Sequence, residues 1–363
     1  MGTITRTFAN NISTGGKFDA TQMTGTLPAS TIADASVTNI SDVPALVATT
    51  TVSSDPGSPD NGQIWYNTTD RRLKAYVLST GSWSSGGNLN TGRYAQGLGS
   101  QTAAHCVSGG GAPGITAFVE QYNGSAWTEI GDVNTGRAYG AAKGTTSAGL
   151  YSGGGPSSGV GNTEEYDGSS WSEQNDLNTA RTYTQGDGIQ TAAFVVGGYY
   201  SSADTAYVEQ YDGSSWTETT DFNTARRNGN SVGTVSAHLL IGGKNTGNVA
   251  ICESWNGSSW TEVGDLNQAR AQMGAAGPST LALAYGGATG PTSSSYAQTE
   301  KWDGTSWTEV SDMATARQAG SASGTAQKEA LYAGGSTDGG STQVTSTEEF
   351  SGTLFNKKLT TTE

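Results

Sequence analysis

Short apolar runs, separated by polar and glycine-rich segments, recur along the chain. Two examples are Ala192–Val196 and residues 238–241, and each run ends at a pair of glycines. Continuous apolar runs of this length are typical of strands that are buried on both faces. The pattern therefore predicts an all-β protein whose strands pack between neighbouring sheets.

The same pattern repeats six times in register. A tryptophan occurs every 44 to 47 residues, an arginine follows each tryptophan by ten residues, and a glycine pair follows each arginine by 16 or 17 residues. An aromatic residue and an Asn-Gly or Asp-Gly pair precede most of these tryptophans, which predicts a type I′ hairpin turn. Small residues follow the arginines, as in 138–142 and 271–276, and suit a crowded innermost strand.

Each repeat predicts four strands, which we name a to d. Strand a follows the arginine, strand b ends at the glycine pair, strand c carries the aromatic residue and strand d carries the tryptophan. Four strands in a period of about 40–50 residues are the pattern of one blade of a β-propeller. The glycine pair, the aromatic residue before the tryptophan and the arginine after strand d resemble the kelch repeat over residues 62–359. That resemblance implies a ring of blades and a role in binding, although a minority of kelch proteins are copper oxidases.

Two blade counts fit the repeats. Residues 63–67, 73–78 and 82–84 match strands b, c and d of one more blade at the N-terminal end, while Phe350 and Phe355 fit a degenerate last repeat. We therefore expect a kelch-like propeller of seven four-stranded blades over residues 61–363, with six blades as the alternative. Closure of the ring is expected from residues 359–363, added as a strand to the N-terminal blade.

Residues 1–60 differ in composition and are expected to form an extended N-terminal attachment arm. They are rich in Ser, Thr, Ala, Asn and Asp and have almost no aromatic residue, so they cannot bury enough surface to fold alone. A disordered tail is the alternative. The segments 2–11, 18–28 and 62–74 resemble virion structural proteins of tailed marine phages, among them tail, neck and head fibres. That resemblance implies attachment through the N-terminus and display of the C-terminal domain.

Arginine and glutamate recur at one fixed position each in every repeat. A buried charge must be paired, or its desolvation cost of several kcal/mol is not compensated, so we expect Arg181 or Arg226 to pair with a strand-c glutamate. Because the two residues recur in every blade, we interpret them as a structural ring and not as the paired carboxylates of a glycosidase. The ring comprises Arg93, Arg137, Arg181, Arg226, Arg270 and Arg317 with Glu120, Glu164, Glu209, Glu253, Glu300 and Glu348.

The histidines and cysteines do not predict a catalytic or metal site. His105 and His238 occupy the same point of strand b, three repeats apart, and Cys106 and Cys252 also lie in different repeats. Side chains that hold a catalytic metal must converge on one ion. We therefore expect buried structural histidines and cysteines, no enzymatic activity, no metal and no cofactor.

The segments between strands b and c are the variable part of the repeat. The distance from the glycine pair to the tryptophan position ranges from 18 to 21 residues, while the other spacings are nearly constant. Strands alternate in direction, so the b–c loops and the d–a links share one face, and variable loops on a rigid scaffold usually carry binding. The expected binding-face residues are Tyr199, Tyr200, Lys244, Tyr296 and Asp338; unselected surface loops are the alternative.

The net charge and the N-terminal sequence narrow the range of expected partners and locations. The net charge of −14 disfavours nucleic acid as a ligand, and the sequence shows neither a signal peptide nor a membrane segment. We expect a non-enzymatic phage virion appendage, made in the host cytoplasm, joined to other virion proteins through residues 1–60 in a homo-oligomeric or symmetric assembly. It would present the propeller to a host-surface glycan or protein. The alternatives are a glycan-binding or glycan-degrading propeller and a cellular kelch-type adaptor.

Overall fold

The computed structural model describes residues 50–57, 64–78, 80–111, 114–155, 158–288, 294–339, 342–352 and 354–358. These ranges contain strands and turns only, and within them no helix is long and apolar enough to cross a membrane. The chain divides into two compact units, residues 80–352 and a second unit made of residues 1–79 with 353–363. This division differs from the expected boundary after residue 60. Most of the expected arm, residues 1–49 and 58–60, lies outside the described residues.

Thirty strands are present in the described ranges. In chain order they are β1 Thr50–Val52, β2 Ile64–Asn67, β3 Arg72–Leu78, β4 Ser82–Ser85, β5 Tyr94–Gly99, β6 Ala104–Gly110, β7 Thr116–Tyr122, β8 Trp127–Glu129, β9 Ala141–Thr145, β10 Ala148–Ser152, β11 Thr163–Tyr166, β12 Trp171–Gln174, β13 Gly188–Ile189, β14 Ala192–Val196, β15 Tyr199–Tyr200, β16 Ala203–Asp204, β17 Val208–Tyr211, β18 Trp216–Glu218, β19 Asn230–Thr234, β20 Ala237–Lys244, β21 Asn248–Trp255, β22 Trp260–Val263, β23 Gly274–Ala276, β24 Leu283–Tyr285, β25 Thr299–Trp302, β26 Trp307–Val310, β27 Ser321–Ala326, β28 Glu329–Ala333, β29 Thr347–Ser351 and β30 Leu354–Lys358.

Residues 80–352 form a β-propeller of antiparallel four-stranded sheets. Sheets 1 to 6 consist of β5–β8, β9–β12, β13-β14-β17-β18, β19–β22, β23–β26 and β27-β28-β29-β4, each in the order a, b, c, d. The inner strands β5, β9, β13, β19, β23 and β27 contact one another in this order, and β27 contacts β5. The series of sheets therefore closes on itself.

The strand assignment behind the favoured seven-blade count is wrong. Strand β4 supplies strand d of sheet 6, where Trp83 lies opposite Phe350, whereas β30, which contains Phe355, pairs with β3 in the other unit. Trp83 donates a 2.9 Å hydrogen bond from Nε1 to Thr299 Oγ1. Trp83 therefore occupies the strand-d tryptophan position that the last repeat lacks. Strand β4 thereby pairs with β29 and joins the two ends of the repeat array. Residues 359–363, the expected closing strand, lie outside the described residues.

Backbone hydrogen bonds between sheets explain the glycine pairs. One glycine of each pair donates its N–H to the carbonyl of the repeat arginine of the next sheet, over 2.8 to 3.1 Å. In the last sheet, Gly335 donates to the carbonyl of Arg93 in sheet 1. The donors have φ between 87° and 115°, a backbone conformation that favours glycine. At the first glycine of a pair, a Cβ on Gly242 would come within 2.5 Å of Met273 Cε and 2.8 Å of the Arg270 carbonyl oxygen. The six donors are Gly109, Gly154, Gly198, Gly243, Gly287 and Gly335.

The hydrophobic core lies between neighbouring sheets. In the interface between sheets 2 and 3, Leu150 of strand b packs with Val195, Tyr211 and Trp216 of the following sheet. The next sheet boundaries repeat this arrangement, with strand-b apolar residues on one side and the aromatic pair of strands c and d on the other. The apolar runs are therefore buried on both faces, as the sequence predicts.

The c–d hairpins do not form the expected type I′ turn. Tyr122 pairs with Trp127 across a four-residue connection, and within it Gly124 has a positive φ of 91° whereas Asn123 does not. The Asn123 Oδ1 atom accepts hydrogen bonds from the N–H groups of Ser125 and Ala126, both at 3.0 Å. A side-chain acceptor that bonds the following backbone replaces the left-handed first residue.

The second unit contains a small mixed sheet in the order β1-β2-β3-β30. Asp55 organises it, because its Oδ1 accepts hydrogen bonds from Trp65 Nε1 at 3.1 Å and Asn67 Nδ2 at 2.7 Å. Lys74 Nζ lies 2.8 Å from Asp55 Oδ2. These contacts hold the pKa of Asp55 at about 2, with the Lys74 hydrogen bond as the largest cause. Trp65, Asn67 and Lys74 of strands β2 and β3 are therefore joined through Asp55.

Candidate functional site: the b–c face and the channel mouth

Each repeat arginine is buried and forms an ion pair with the strand-c glutamate of its own sheet. The Nη1–Oε1 distance is 2.6 Å both for Arg93 with Glu120 and for Arg226 with Glu253. Arg181 pairs with Glu209 in the same way. The expected pairing of these arginines with strand-c glutamates is therefore confirmed for both Arg181 and Arg226. The remaining pairs are Arg137–Glu164, Arg270–Glu300 and Arg317–Glu348.

Both members of a pair have several further hydrogen bonds. In sheet 3, the Glu209 carboxylate accepts from the backbone N–H groups of Asn178 at 2.7 Å and Thr179 at 3.2 Å. Arg181 donates from Nε to the Gly197 carbonyl at 3.0 Å and from Nη2 to the Val195 carbonyl at 3.2 Å. The pair therefore joins the d–a link to strands b and c, which is a structural arrangement.

Both histidines and both cysteines are buried strand residues, as expected. His105 packs edge-on against Tyr166 at 5.2 Å between ring centroids, and His238 against Trp260 at 6.1 Å. Burial lowers the pKa of His105 to about 4 and that of His238 to about 3. Among the described residues, no group of three or more His, Cys, Asp or Glu side chains could hold a metal ion.

The b–c loops and the d–a links lie on one face of the propeller, which we call the b–c face. In sheets 3 to 6 the residue after the repeat arginine forms a β-bridge with the segment after the glycine pair of the same sheet, as in Thr182 with Tyr199 and Gln318 with Ser336. Strand a begins at this face. Its first residues therefore surround the central channel where the channel opens on the b–c face.

Tyr199 and Tyr200 belong to a short hairpin that projects from the b–c loop of sheet 3. Strand β15 pairs with β16, and the Arg227 guanidinium of sheet 4 lies 4.5 Å above the Tyr199 ring. Arg227 also forms an ion pair with Asp204 of the hairpin. Tyr200 is 45% exposed. The hairpin is thus held against the next sheet and presents Tyr200 to solvent; sequence reasoning missed Arg227 and Asp204.

The other three predicted residues lie at separate points of the b–c face. Lys244 ends strand β20 and exchanges backbone hydrogen bonds with Arg227. Tyr296 is half-buried, and its carbonyl accepts from the Arg317 N–H at 3.0 Å. Asp338 accepts from the backbone N–H and the hydroxyl of Thr342, both at 2.6 Å, and so shapes its own loop. Parts of these loops, residues 156–157, 289–293 and 340–341, lie outside the described residues.

A second constellation lies at the channel mouth, two residues after the repeat arginines. Tyr139, Tyr183, Asn228, Gln272 and Ala319 occupy this position in sheets 2 to 6, and all five have φ between 54° and 59°. Their backbones are linked: the Ala319 N–H donates to the Gln272 carbonyl, Gln272 to Asn228, and Asn228 to Tyr183, over 2.7 to 3.1 Å. These bonds fix the residues around the channel.

Aromatic rings occupy one side of this mouth. Tyr94 of sheet 1 stacks on Tyr139 with centroids 5.2 Å apart and planes at 13°, and Tyr139 lies 4.5 Å from Tyr183. Burial and the neighbouring phenols raise the pKa of Tyr139. The repeat pattern did not predict this row, because most side chains that follow the repeat arginines are small. The signal was present: tyrosine follows the arginine by one or two residues in three consecutive repeats.

The channel at this mouth is a cavity of about 630 Å³, counting space that is open to solvent. Its lining includes Tyr139 and Tyr183 of the row, together with Gln96, Thr184, Gln185, Asn230 and Met273. None of the described residues that line it has a charged side chain. The predicted loops and the missed channel residues together form one candidate binding face.

Comparisons with known proteins support the fold. No family model matches the sequence, and no curated protein matches it. The solved structure of YjhT aligns with this chain at a TM-score of 0.61 and 14% sequence identity, over 72% of this chain and 95% of the YjhT chain. At this identity the likeness concerns the fold, an all-β propeller.

Proposed function

We propose that this chain is a non-enzymatic binding protein of a phage virion that recognises a host surface with the b–c face of its propeller. The observation that carries the binding part is the contrast between the two faces. The c–d turns repeat one compact structure, in which an Asn or Asp side chain accepts from the N–H groups two and three residues later. The b–c face instead carries loops of different length, an exposed tyrosine hairpin and the channel mouth.

The virion part of the proposal rests on the N-terminal sequence. The segments 2–11, 18–28 and 62–74 resemble virion proteins of tailed phages, and the last of these builds a separate small unit around Asp55 and Lys74. A separate unit, built mainly from residues that precede the propeller in the chain, suits attachment to other virion proteins in a symmetric assembly. In this proposal the chain is made in the host cytoplasm and resides in the virion.

The binding face is tested by exchanging surface loops in the full chain. One variant replaces the hairpin 199–204 and a second replaces loops 288–297 and 336–345, each with short Gly-Ser connections. A matched control replaces the c–d turns Asn123–Ala126 and Asp212–Ser215 with other turn sequences. We expect the first two variants to lose adsorption to host cells while their circular dichroism and melting temperature stay near wild type. Loss of adsorption only in the c–d control would contradict the proposal.

The virion location is tested separately. Particles purified on a density gradient from cells that express the chain should contain it in a fixed ratio to the major capsid protein, as measured by quantitative mass spectrometry. Antibody against the propeller should label one type of particle appendage in electron micrographs. Absence of the chain from purified particles would overturn the virion part and leave the binding part to stand on the loop exchange.

A further inference from the structure

The channel mouth combines aromatic rings with neutral amides around one cavity. We propose that it binds a neutral saccharide, with Tyr139 and Tyr183 as the aromatic contacts and Asn228 and Gln272 as the hydrogen-bonding contacts. This inference rests on the proposed binding function and deepens it, because it names the ligand class and places the ligand at the channel instead of the peripheral loops.

The tyrosine row supplies the apolar part of the site. Tyr94, Tyr139 and Tyr183 are each half-buried, with centroid separations of 5.2 and 4.5 Å along the row. Tyrosine offers a large rigid ring together with a hydroxyl group. The C–H face of a pyranose can pack on such a ring while a phenolic hydroxyl bonds a sugar hydroxyl.

Amide groups supply the polar part. Asn228 and Gln272 continue the same backbone position around the mouth, and both are half-buried. A carboxamide both donates and accepts hydrogen bonds, so it matches the hydroxyl groups of a sugar. Gln185, which also lines the cavity, is 4% exposed, and neither atom of its amide has a hydrogen-bond partner. A buried amide without a hydrogen-bond partner is unfavourable.

The uncharged lining of the cavity favours a neutral ligand. The side chains that line the cavity carry no charge, so an anionic sugar finds no cation there. The chain as a whole has a net charge of −14, which repels anions at long range. Neutral hexose units fit this environment better than sialic or uronic acids.

The backbone of the mouth is held in an uncommon conformation. A positive φ is unfavourable for a non-glycine residue, and five such residues recur here with nearly equal angles. The hydrogen bonds that link Tyr183, Asn228, Gln272 and Ala319 stabilise this arrangement. Side chains on a rigid ring lose little freedom when a ligand binds.

The test measures binding of neutral hexasaccharides of glucose, galactose and mannose by saturation-transfer NMR and calorimetry, with sialyllactose and a hyaluronan fragment as anionic probes. We expect at least one neutral probe to bind and the anionic probes not to bind. Tyr183→Asn and Gln272→Ala should each weaken that binding at least tenfold. Asn228 and Ala319 already adopt the same φ in other sheets, so the substituted backbone remains allowed. Ile189→Ala, 57% exposed at the end of strand β13 away from the b–c face, is the control and should bind like wild type.

Three results would overturn the proposal. These are failure of all neutral probes to bind, preference for an anionic probe, and unchanged affinity in both channel variants. If host adsorption persists and still depends on the b–c loops in such a case, the proposed function stands and only the saccharide site fails. If adsorption itself does not depend on the b–c face, the proposed function fails independently of the sugar measurement.

Discussion

Trp83 lies directly opposite Phe350 in sheet 6, although the two are 267 positions apart in the sequence. Its ring is 5.4 Å from Phe350 and 5.1 Å from Tyr285 of sheet 5, measured between centroids. A strand from before the first arginine thus completes the last sheet. The closed series of sheets places all b–c loops around a single channel mouth, and the proposed binding face depends on this closure.

Removal of Trp83 should weaken the closure. We expect Trp83→Ala to lower the free energy of unfolding by about 3 kcal/mol, because the aromatic contacts and the Thr299 hydrogen bond are lost. Urea denaturation followed by fluorescence measures the change. Tyr200→Ala, an exposed aromatic on the hairpin, should change stability by less than about 0.5 kcal/mol. Equal effects of the two substitutions would contradict the closure by β4.

Buried and partly exposed arginines should differ in their effect on stability. Arg181 and Glu209 are both fully buried, whereas Arg227 and Asp204 are about one-fifth exposed. We expect Arg181→Ala to cost about 3–5 kcal/mol, since it leaves a buried carboxylate without its partner. Arg227→Ala should cost about 1 kcal/mol or less. Chemical denaturation of the two variants tests this, and a loss below about 0.5 kcal/mol for Arg181→Ala would refute the structural role of the pair.

Lys143 should make stability depend on pH. The side chain is 2% exposed, Nζ has no hydrogen-bond partner, and burial lowers the pKa of Lys143 from 10.5 to about 7. Between these two values the unfolded chain keeps a proton that the folded chain has released. Stability therefore rises with pH between about 7 and 10.5, with a slope of up to about 1.4 kcal/mol per pH unit.

The substitution Lys143→Met should remove this slope and raise stability at pH 7. The measurement is the midpoint of urea unfolding at pH 7, 8, 9 and 10, with Lys244→Met on the surface as the matched control. A slope that is the same in Lys143→Met and in wild type would show that other groups cause the pH dependence.

Asp55 should make the small unit sensitive to acid. Hydrogen bonds from Lys74 above all, and from Asn67 and Trp65, lower the pKa of this carboxylate from 3.8 to about 2. The stabilisation is complete above about pH 4 and is lost as the pH falls toward 2. The Trp65 indole should report this loss by NMR, since its N–H donates to Asp55. In Asp55→Asn the indole signal should no longer follow this titration; an unchanged titration would contradict the assignment.

Much of the propeller follows from the sequence because its repeat constrains local structure and packing together. The glycine pair, the strand-b run and the Arg–Glu positions recur in register, and each has one physical role in every sheet. The closing strand was misassigned because the repeat pattern cannot tell whether Trp83 ends a new blade or completes the last one. That choice depends on a contact with Phe350, which is far away in sequence.

The binding face was only partly predictable. Loop length variation singled out the b–c loops, and strand direction correctly predicted that these loops share one face. It did not reveal that Arg227 holds the Tyr199 ring, a contact between different sheets. Nor did it reveal the row formed by Tyr94, Tyr139 and Tyr183, since these residues meet only when the inner strands converge on the channel.

Hydrogen exchange of the backbone amides, measured by mass spectrometry on the full chain with and without outer-envelope fragments of the host cell, tests the binding face most directly. We expect slower exchange on binding in the hairpin 199–204, in segment 244–249 and in the first residues of strand a, such as 182–185 and 227–230. The c–d turns 123–126, 167–170 and 212–215 should exchange at the same rate in both states. Protection of the c–d turns, with no change in the b–c loops and channel mouth, would contradict this expectation.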